Sequence, residues 1–192
     1  MAWPTLTDVK TYAGVVGTAD DGLLAFLNAG AKAYIEKYTD RLFIAASSAK
    51  SFPVAYPYVP SGNRWFFPYE DFIAATTVVN GNGVTVVAGD RITHGPDTPY
   101  HAIELEAGSG LTWLSTADGL IVATFTWGYS ADVPSDIFLA ALELAGYRYR
   151  ARAAGAGGDV AQAGRAAGLT VQPGDVPPSI MAVLDAYRRV SA

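Results

Sequence analysis

The chain has 192 residues, of which 51% are hydrophobic and only 16% charged, with no cysteine and a formal net charge of −5. That balance is the opposite of a disordered chain, so the core is expected to fold, and the length suggests one domain with an appendage. It excludes disulfides, zinc ribbons, thiol catalysis and iron–sulfur clusters, and the charge has the wrong sign for a general nucleic-acid binder, which needs Lys and Arg to displace phosphate counterions.

The charge is unevenly placed. Residues 1–135 hold 13 acidic and 7 basic residues, whereas residues 136–192 hold 5 acidic and 6 basic, all of the latter Arg. Arg keeps its charge and forks to two acceptors, so an Arg-only end on a charge-poor chain points to an interface, with simple compositional bias as the alternative. Apolar runs are too short to span a bilayer. The start, Met1-Ala2-Trp3-Pro4, lacks the basic and apolar regions of a signal peptide.

Two helices are predicted first. Thr5 or Thr7 can cap a run from Leu6 to Val16, with Asp8 in the first turn. Asp20 or Asp21 can cap the next, in which Leu23, Leu24, Phe26, Leu27, Ala31, Tyr34, Ile35 and Tyr38 recur at helical spacing and imply one buried face. Asn28, Lys32, Glu36 and Lys37 take the other face.

The middle reads as β. Leu42 to Phe52 is a weakly patterned first strand, and Ser51 to Pro68, with four prolines, reads as an extended excursion or loop. Thr76–Val79, Asn80-Gly81-Asn82-Gly83 and Val84–Val87 form a hairpin signal. Tyr100 to Glu106 alternates, Leu111–Leu114 is a short candidate, and Leu120 to Trp127 is the strongest strand pattern. A third helix opens at Val133-Pro134-Ser135-Asp136 and continues through Tyr147-Arg148-Tyr149-Arg150-Ala151-Arg152. Residues 153–168 are Gly- and Ala-rich and read as a linker, Leu169–Val171 as a short strand, and Ile180 to Val190 as a final amphipathic helix ending in Arg188 and Arg189. The expected fold is α+β: an N-terminal helical pair, a small central antiparallel sheet with hairpins, a long third helix, and a C-terminal arm with a final helix. Residues 1–152 are the expected core domain and 153–192 the flexible arm.

Catalytic chemistry finds little support. His94 and His101, with Asp97 and Glu104, match no metal spacing, and the Pro residues around them imply a loop. Gly155-Ala156-Gly157-Gly158 is no phosphate loop, since no Gly-Lys-Ser/Thr follows. The expectation is no catalytic residue, no metal and no cofactor. Trp65, Phe66 and Phe67, with Tyr56, Tyr58 and Tyr69, leave three readings open: a protein contact surface, a cap on the sheet, or a sugar-stacking platform.

The order of elements, carried by Leu6-Thr7-Asp8-Val9-Lys10, the Asp21–Tyr38 helix running into Thr39-Asp40-Arg41, the Val78–Gly81 hairpin, and Val122–Tyr129 leading into Val133–Ile137, resembles the tailed-phage head–tail connector (adaptor) family in its gp6-like and gp15-like forms. The resemblance covers roughly residues 5–152; the aromatic stretch 52–69 and the Gly-rich arm depart from the family's short form. It implies a non-enzymatic protein of the virion neck, assembled in the host cytoplasm. Its copies would close a ring, typically twelve-fold, beneath the portal and extend the DNA channel. Implied partners are further copies of the chain, the portal protein, a downstream stopper or tail protein, and double-stranded DNA in transient, non-specific passage; no membrane is implied. On that reading Leu184, Tyr187, Arg188 and Arg189 are candidates for portal docking, Arg148, Arg150 and Arg152 for intersubunit or channel contacts, and Trp65, Phe66 and Phe67 for a protein contact surface. Deleting residues 169–192 is expected to leave a folded domain that fails to attach. Alternatives are a stopper or tail-completion protein, or a carbohydrate-binding module using Trp65.

Overall fold

The computed structural model describes residues 1–55, 57–60, 64–95, 97–114, 119–156 and 176–189. The expected linker from residue 157 onward and the expected strand at 169–171 lie outside the described residues, as does Tyr56. The chain divides into two compact units, a helical one of residues 1–40 and 133–192 and a β unit of residues 41–132. The expected boundary at residue 152 falls inside the third helix.

In the helical unit α1 spans Leu6–Ala13. Thr5 caps it reciprocally: its hydroxyl accepts from the Asp8 amide at 3.2 Å, and the Asp8 carboxylate accepts from the Thr5 amide at 2.8 Å. The Thr5 hydroxyl also donates to that carboxylate at 2.7 Å, and this bond first, then the Thr5 amide, holds the Asp8 carboxyl below its usual pKa. Gly14, at φ 70°, turns the chain left-handed and stops the helix short of the expected Val16. Next, α2 spans Asp21–Thr39 and buries Leu24, Ala31, Ile35 and Thr39. α3 spans Ser135–Ala156, so helix extends past residue 152 into the expected linker. It buries Ile137, Ala140, Ala141, Leu144 and Ala145. α4 spans Pro178–Tyr187, with Pro in its first turn. It packs on α2 and α3 and buries Ile180 and Leu184. No described helix is long and apolar enough to cross a membrane.

The β unit holds two antiparallel sheets. Its strands are β1 (Ala46–Pro53), β2 (Trp65–Phe66), β3 (Phe72–Val79), β4 (Thr85–Val86), β5 (Arg91–His94), β6 (Ala102–Leu105) and β7 (Leu120–Trp127). One sheet has the order β1-β7-β3-β4, the other β2-β6-β5. β7 is central, paired along its whole length with β1 and over most of it with β3, and its residues alternate buried and half-buried as the sequence pattern implied. The weak pattern at Leu42–Phe52 has a cause: β1 is an edge strand whose side chains up to Ser51 are almost all exposed, so no apolar alternation is selected. Residues 111–114 form no strand; Trp113 instead enters the core, and its indole N–H donates to the Arg64 carbonyl at 2.9 Å.

Both sheets bury their inner faces in one cluster that includes Phe52, Phe66, Phe72, Val78, Ile103, Leu105, Trp113, Ile121, Phe125 and Trp127. The rings pack tilted or edge-on, with Phe52–Phe66 centroids 5.2 Å apart and Phe72–Phe125 4.6 Å apart, as ring quadrupoles favour. The hairpin forms where expected, with Val78 opposite Val86 and Val79 opposite Thr85. Asn80 holds its turn in place: the buried amide donates to the Thr112 carbonyl at 2.8 Å and accepts from the Gly81 and Leu114 amides at 2.8 and 2.9 Å. A Cβ on Gly81 would sit 2.3 Å from the Leu114 carbonyl, so only glycine fits this close approach. β3 carries irregularities at Phe72–Ala74 and Ala75–Thr77. At the second, the Arg91 guanidinium donates to the Ala75 and Thr76 carbonyls at 2.8 and 3.3 Å, and burial pushes its pKa below the ordinary Arg value.

Candidate interaction surfaces

The distinctive Tyr–Arg alternation near the end of α3 is laid against its own unit. Arg148 lies over the Tyr34 ring at 5.3 Å, Tyr34 stacks on Tyr38 with centroids 6.0 Å apart, and Arg188 lies over Tyr38 at 5.6 Å. Arginine, tyrosine, tyrosine and arginine thus form a ladder joining α3, α2 and the residue that follows α4. Tyr34 and Tyr38 are four apart on α2, the spacing that places both rings on one face. On another face of α3, Arg150 lies over the Tyr12 ring at 5.8 Å, and the Tyr149 hydroxyl donates to Asp20 at 2.7 Å. Asp20 makes no side-chain bond to the start of α2, so its carboxylate fastens α3 instead of capping. That hydrogen bond raises the Tyr149 pKa above its usual value.

The C-terminal helix is fastened in the same manner. Tyr187 donates to the Asp136 carboxylate at 2.8 and 2.9 Å, and Tyr38 donates to Asp185 at 2.5 Å, which raises the Tyr38 pKa. The Arg189 amide donates to the Thr39 carbonyl at 3.0 Å, and its guanidinium approaches Asp40 at 3.9 Å. Leu184, expected at a docking surface, is fully buried. An apolar side chain on the inner stripe of an amphipathic helix holds that helix down and offers a partner nothing without undocking it. Arg188 and Arg152 are exposed, Arg150 likewise, while Arg148, Tyr187 and Arg189 are half-buried.

In the β unit the aromatic stretch divides. Phe66 is fully buried and belongs to the core, a correction to its expected surface role that follows from strand alternation: its neighbours Trp65 and Phe67 point the other way and are half-buried. Trp65 stacks on Phe67 at 5.8 Å with planes 10° apart and meets the His94 ring at 4.4 Å. Beside them Glu104 accepts from His94 at 3.0 Å and from Arg64 at 2.9 Å. His94 and Glu104 therefore do meet, across the β5–β6 pair, but Glu104 is already shared by two donors. Among the described residues no three His, Asp or Glu side chains are grouped to hold a metal ion. Val84, Leu114 and Leu120 stay nearly half exposed in the segments around the Gly81 turn.

On α2 and α3 two large apolar side chains are exposed among the described residues. Phe26 is 75% exposed on α2 and Leu139 47% exposed on α3. Phe26 was expected in the buried stripe. At about 100° per residue it lies roughly 200° around from buried Leu24, so counting the angle rather than the three-and-four spacing locates it on the outer face.

No family model and no curated protein matches the chain. Solved structures share its fold along nearly its whole length. A chain from the neck of an empty gene transfer agent (GTA) particle computed with C6 symmetry is 19% identical, covering 98% of this chain and 91% of that one at a TM-score of 0.64. A chain from the virion of a native gene transfer agent particle is 20% identical, covering 100% and 94% at a TM-score of 0.60. A chain from the neck of a native GTA particle computed with C12 symmetry is 18% identical, covering 94% and 92% at a TM-score of 0.58. The α+β fold described above is therefore one also found in chains of gene transfer agent particles, whose necks include examples.

Proposed function

We propose that the chain is a structural protein of a tailed-phage-like particle neck, an adaptor whose copies close a ring beneath the portal, prolong the DNA channel and join head to tail. The observation that carries this reading is the likeness of fold to gene transfer agent neck chains over both chains' near-full length. Twelve copies is the ring size this reading favours, in keeping with the C12 symmetry stated for one of those necks. Composition supports it independently: a ring subunit buries two different faces, which suits a chain with only 16% charged residues. A net charge of −5 suits a channel wall that lets DNA slide, since few phosphate contacts form. The chain acts without catalysis or a cofactor. Its exposed Arg150, Arg152 and Arg188 are the proposed contacts to other copies, the channel or the portal; Leu184 and Phe66 are removed from that role by their burial.

The test is complementation. Portal-bearing heads made without this protein should fail to acquire tails, and purified protein added back should restore joining. Heads that join tails equally well without it overturn the reading.

A further inference from the structure

We infer that neighbouring copies meet through two different faces of the helical unit: the Phe26 face of α2 on one copy against the Leu139 face of α3 on the next. This rests on the ring reading above and names the surfaces that make it. The exposed face of α2 carries Gly22, Phe26, Ala29, Ala33 and Lys37, at spacings of four, three, four and four. Small residues leave room on either side of the one large ring, and the face ends in a cation. The exposed face of α3 places Leu139 between Asp136 and Glu143, each about one turn away. Asp136 also accepts from Tyr187, while Glu143, like Lys37, has no salt-bridge partner among the described residues. One face thus offers an aromatic knob and an unpaired cation, the other an aliphatic side chain and an unpaired carboxylate.

Both faces are turned away from the interior stripes that α2 and α3 bury, so they cannot meet within one chain. They carry opposite charge, Lys37 about three turns beyond Phe26 on one face and Glu143 about one turn beyond Leu139 on the other, each on the same side of its helix as the apolar side chain. Since both halves of the contact belong to the same chain, the fitting occupant is a second copy. Because the halves differ, the contact is head-to-tail and propagates until it closes a ring.

The experiment uses the full chain with Phe26→Asp, with Leu139→Asp, and the two variants mixed, each read by native mass spectrometry and by circular dichroism. The wild type should assemble into closed rings. Each variant alone should be folded and monomeric at concentrations where the wild type assembles, with association weakened roughly 30-fold or more, as for loss of an interface anchor. The mixture should give one-to-one dimers and nothing larger, because only the intact α2 face of one variant can meet the intact α3 face of the other. Either variant assembling like the wild type, or a mixture that stays monomeric, overturns the inference while the ring reading stands. A wild type that stays monomeric at all concentrations and in particle necks removes both.

Discussion

In the β unit, rings of Phe52, Phe66, Phe72, Trp113, Phe125 and Trp127 fill the space between two sheets, and polar groups there chiefly orient turns. In the helical unit the interior is made of small and aliphatic residues such as Ala31, Ala141, Ala145, Ile35 and Leu144. Its aromatic rings lie at the margins instead, held by arginines and carboxylates. A core built on large rings tolerates no shrinkage, because surrounding strands relax little around the void. A margin built from hydroxyls and guanidinium groups can be loosened one contact at a time. The contrast also bears on assembly: aromatic and arginine side chains common at protein interfaces are here partly committed inside the subunit, which leaves Phe26 and Leu139 as its conspicuous apolar exposures on α2 and α3.

The sharpest way to break the β unit is Trp113→Ala, which removes a fully buried ring and the donor to the Arg64 carbonyl. It should cost about 3–5 kcal/mol, read by denaturant unfolding followed through near-ultraviolet circular dichroism. A loss below 1 kcal/mol would mean the ring is not packed as described. Leu184→Ala should cost about 2–5 kcal/mol and speed hydrogen exchange in α4. An unchanged α4 would return Leu184 to the surface role expected for it. Removing α4 altogether should likewise destabilise the helical unit, contrary to the expectation that a chain cut at residue 169 stays intact, because Ile180 and Leu184 would no longer cover α2 and α3. Asn80→Ala strands the Leu114 and Gly81 amides and the Thr112 carbonyl; the expected cost is about 1–3 kcal/mol, measured by thermal unfolding.

The smallest effects lie at the margins of the helical unit and appear as pH dependence. The Tyr38 and Tyr149 pKa values are raised in the folded chain by hydrogen bonds to Asp185 and Asp20. Their contribution is therefore complete below the usual phenol value near 10 and lost as pH rises through the higher folded value. Asp8 behaves oppositely: its lowered pKa makes the cap of α1 complete above about 3.8 and lost as pH falls through the depressed value. Tyr38→Phe with Tyr149→Phe should flatten the alkaline limb of unfolding midpoint against pH. An alkaline limb unaltered by the double substitution would contradict the assignment.

How much of this was legible follows from local physics. Leu120–Trp127 announced itself because a central strand with one core-facing side selects strict alternation. The Asn-Gly turn was equally plain, as its backbone geometry admits few residues. β1 was blurred since an exposed edge places no demand on its side chains. β5, at Arg91–His94, was not anticipated: its Arg91 donates through Nη2 to carbonyls of β3, a long-range pairing that no local pattern reveals. Among the candidate contact residues, the Tyr147–Arg152 alternation stood out as unusual, but whether an arginine meets its own chain or another depends on Tyr34, Tyr12 and Asp20, more than a hundred positions away. The burial of Leu184 was foreshadowed by its place on the apolar stripe of the final helix, beside Ile180.

The most direct measurement is the mass of the purified full-length chain by native mass spectrometry, with negative-stain images of the same sample and of particle necks. Closed annuli of one defined copy number, with a central hole wide enough for a DNA duplex, are the expected result. A chain that is monomeric at every concentration and missing from the head–tail junction contradicts the ring reading.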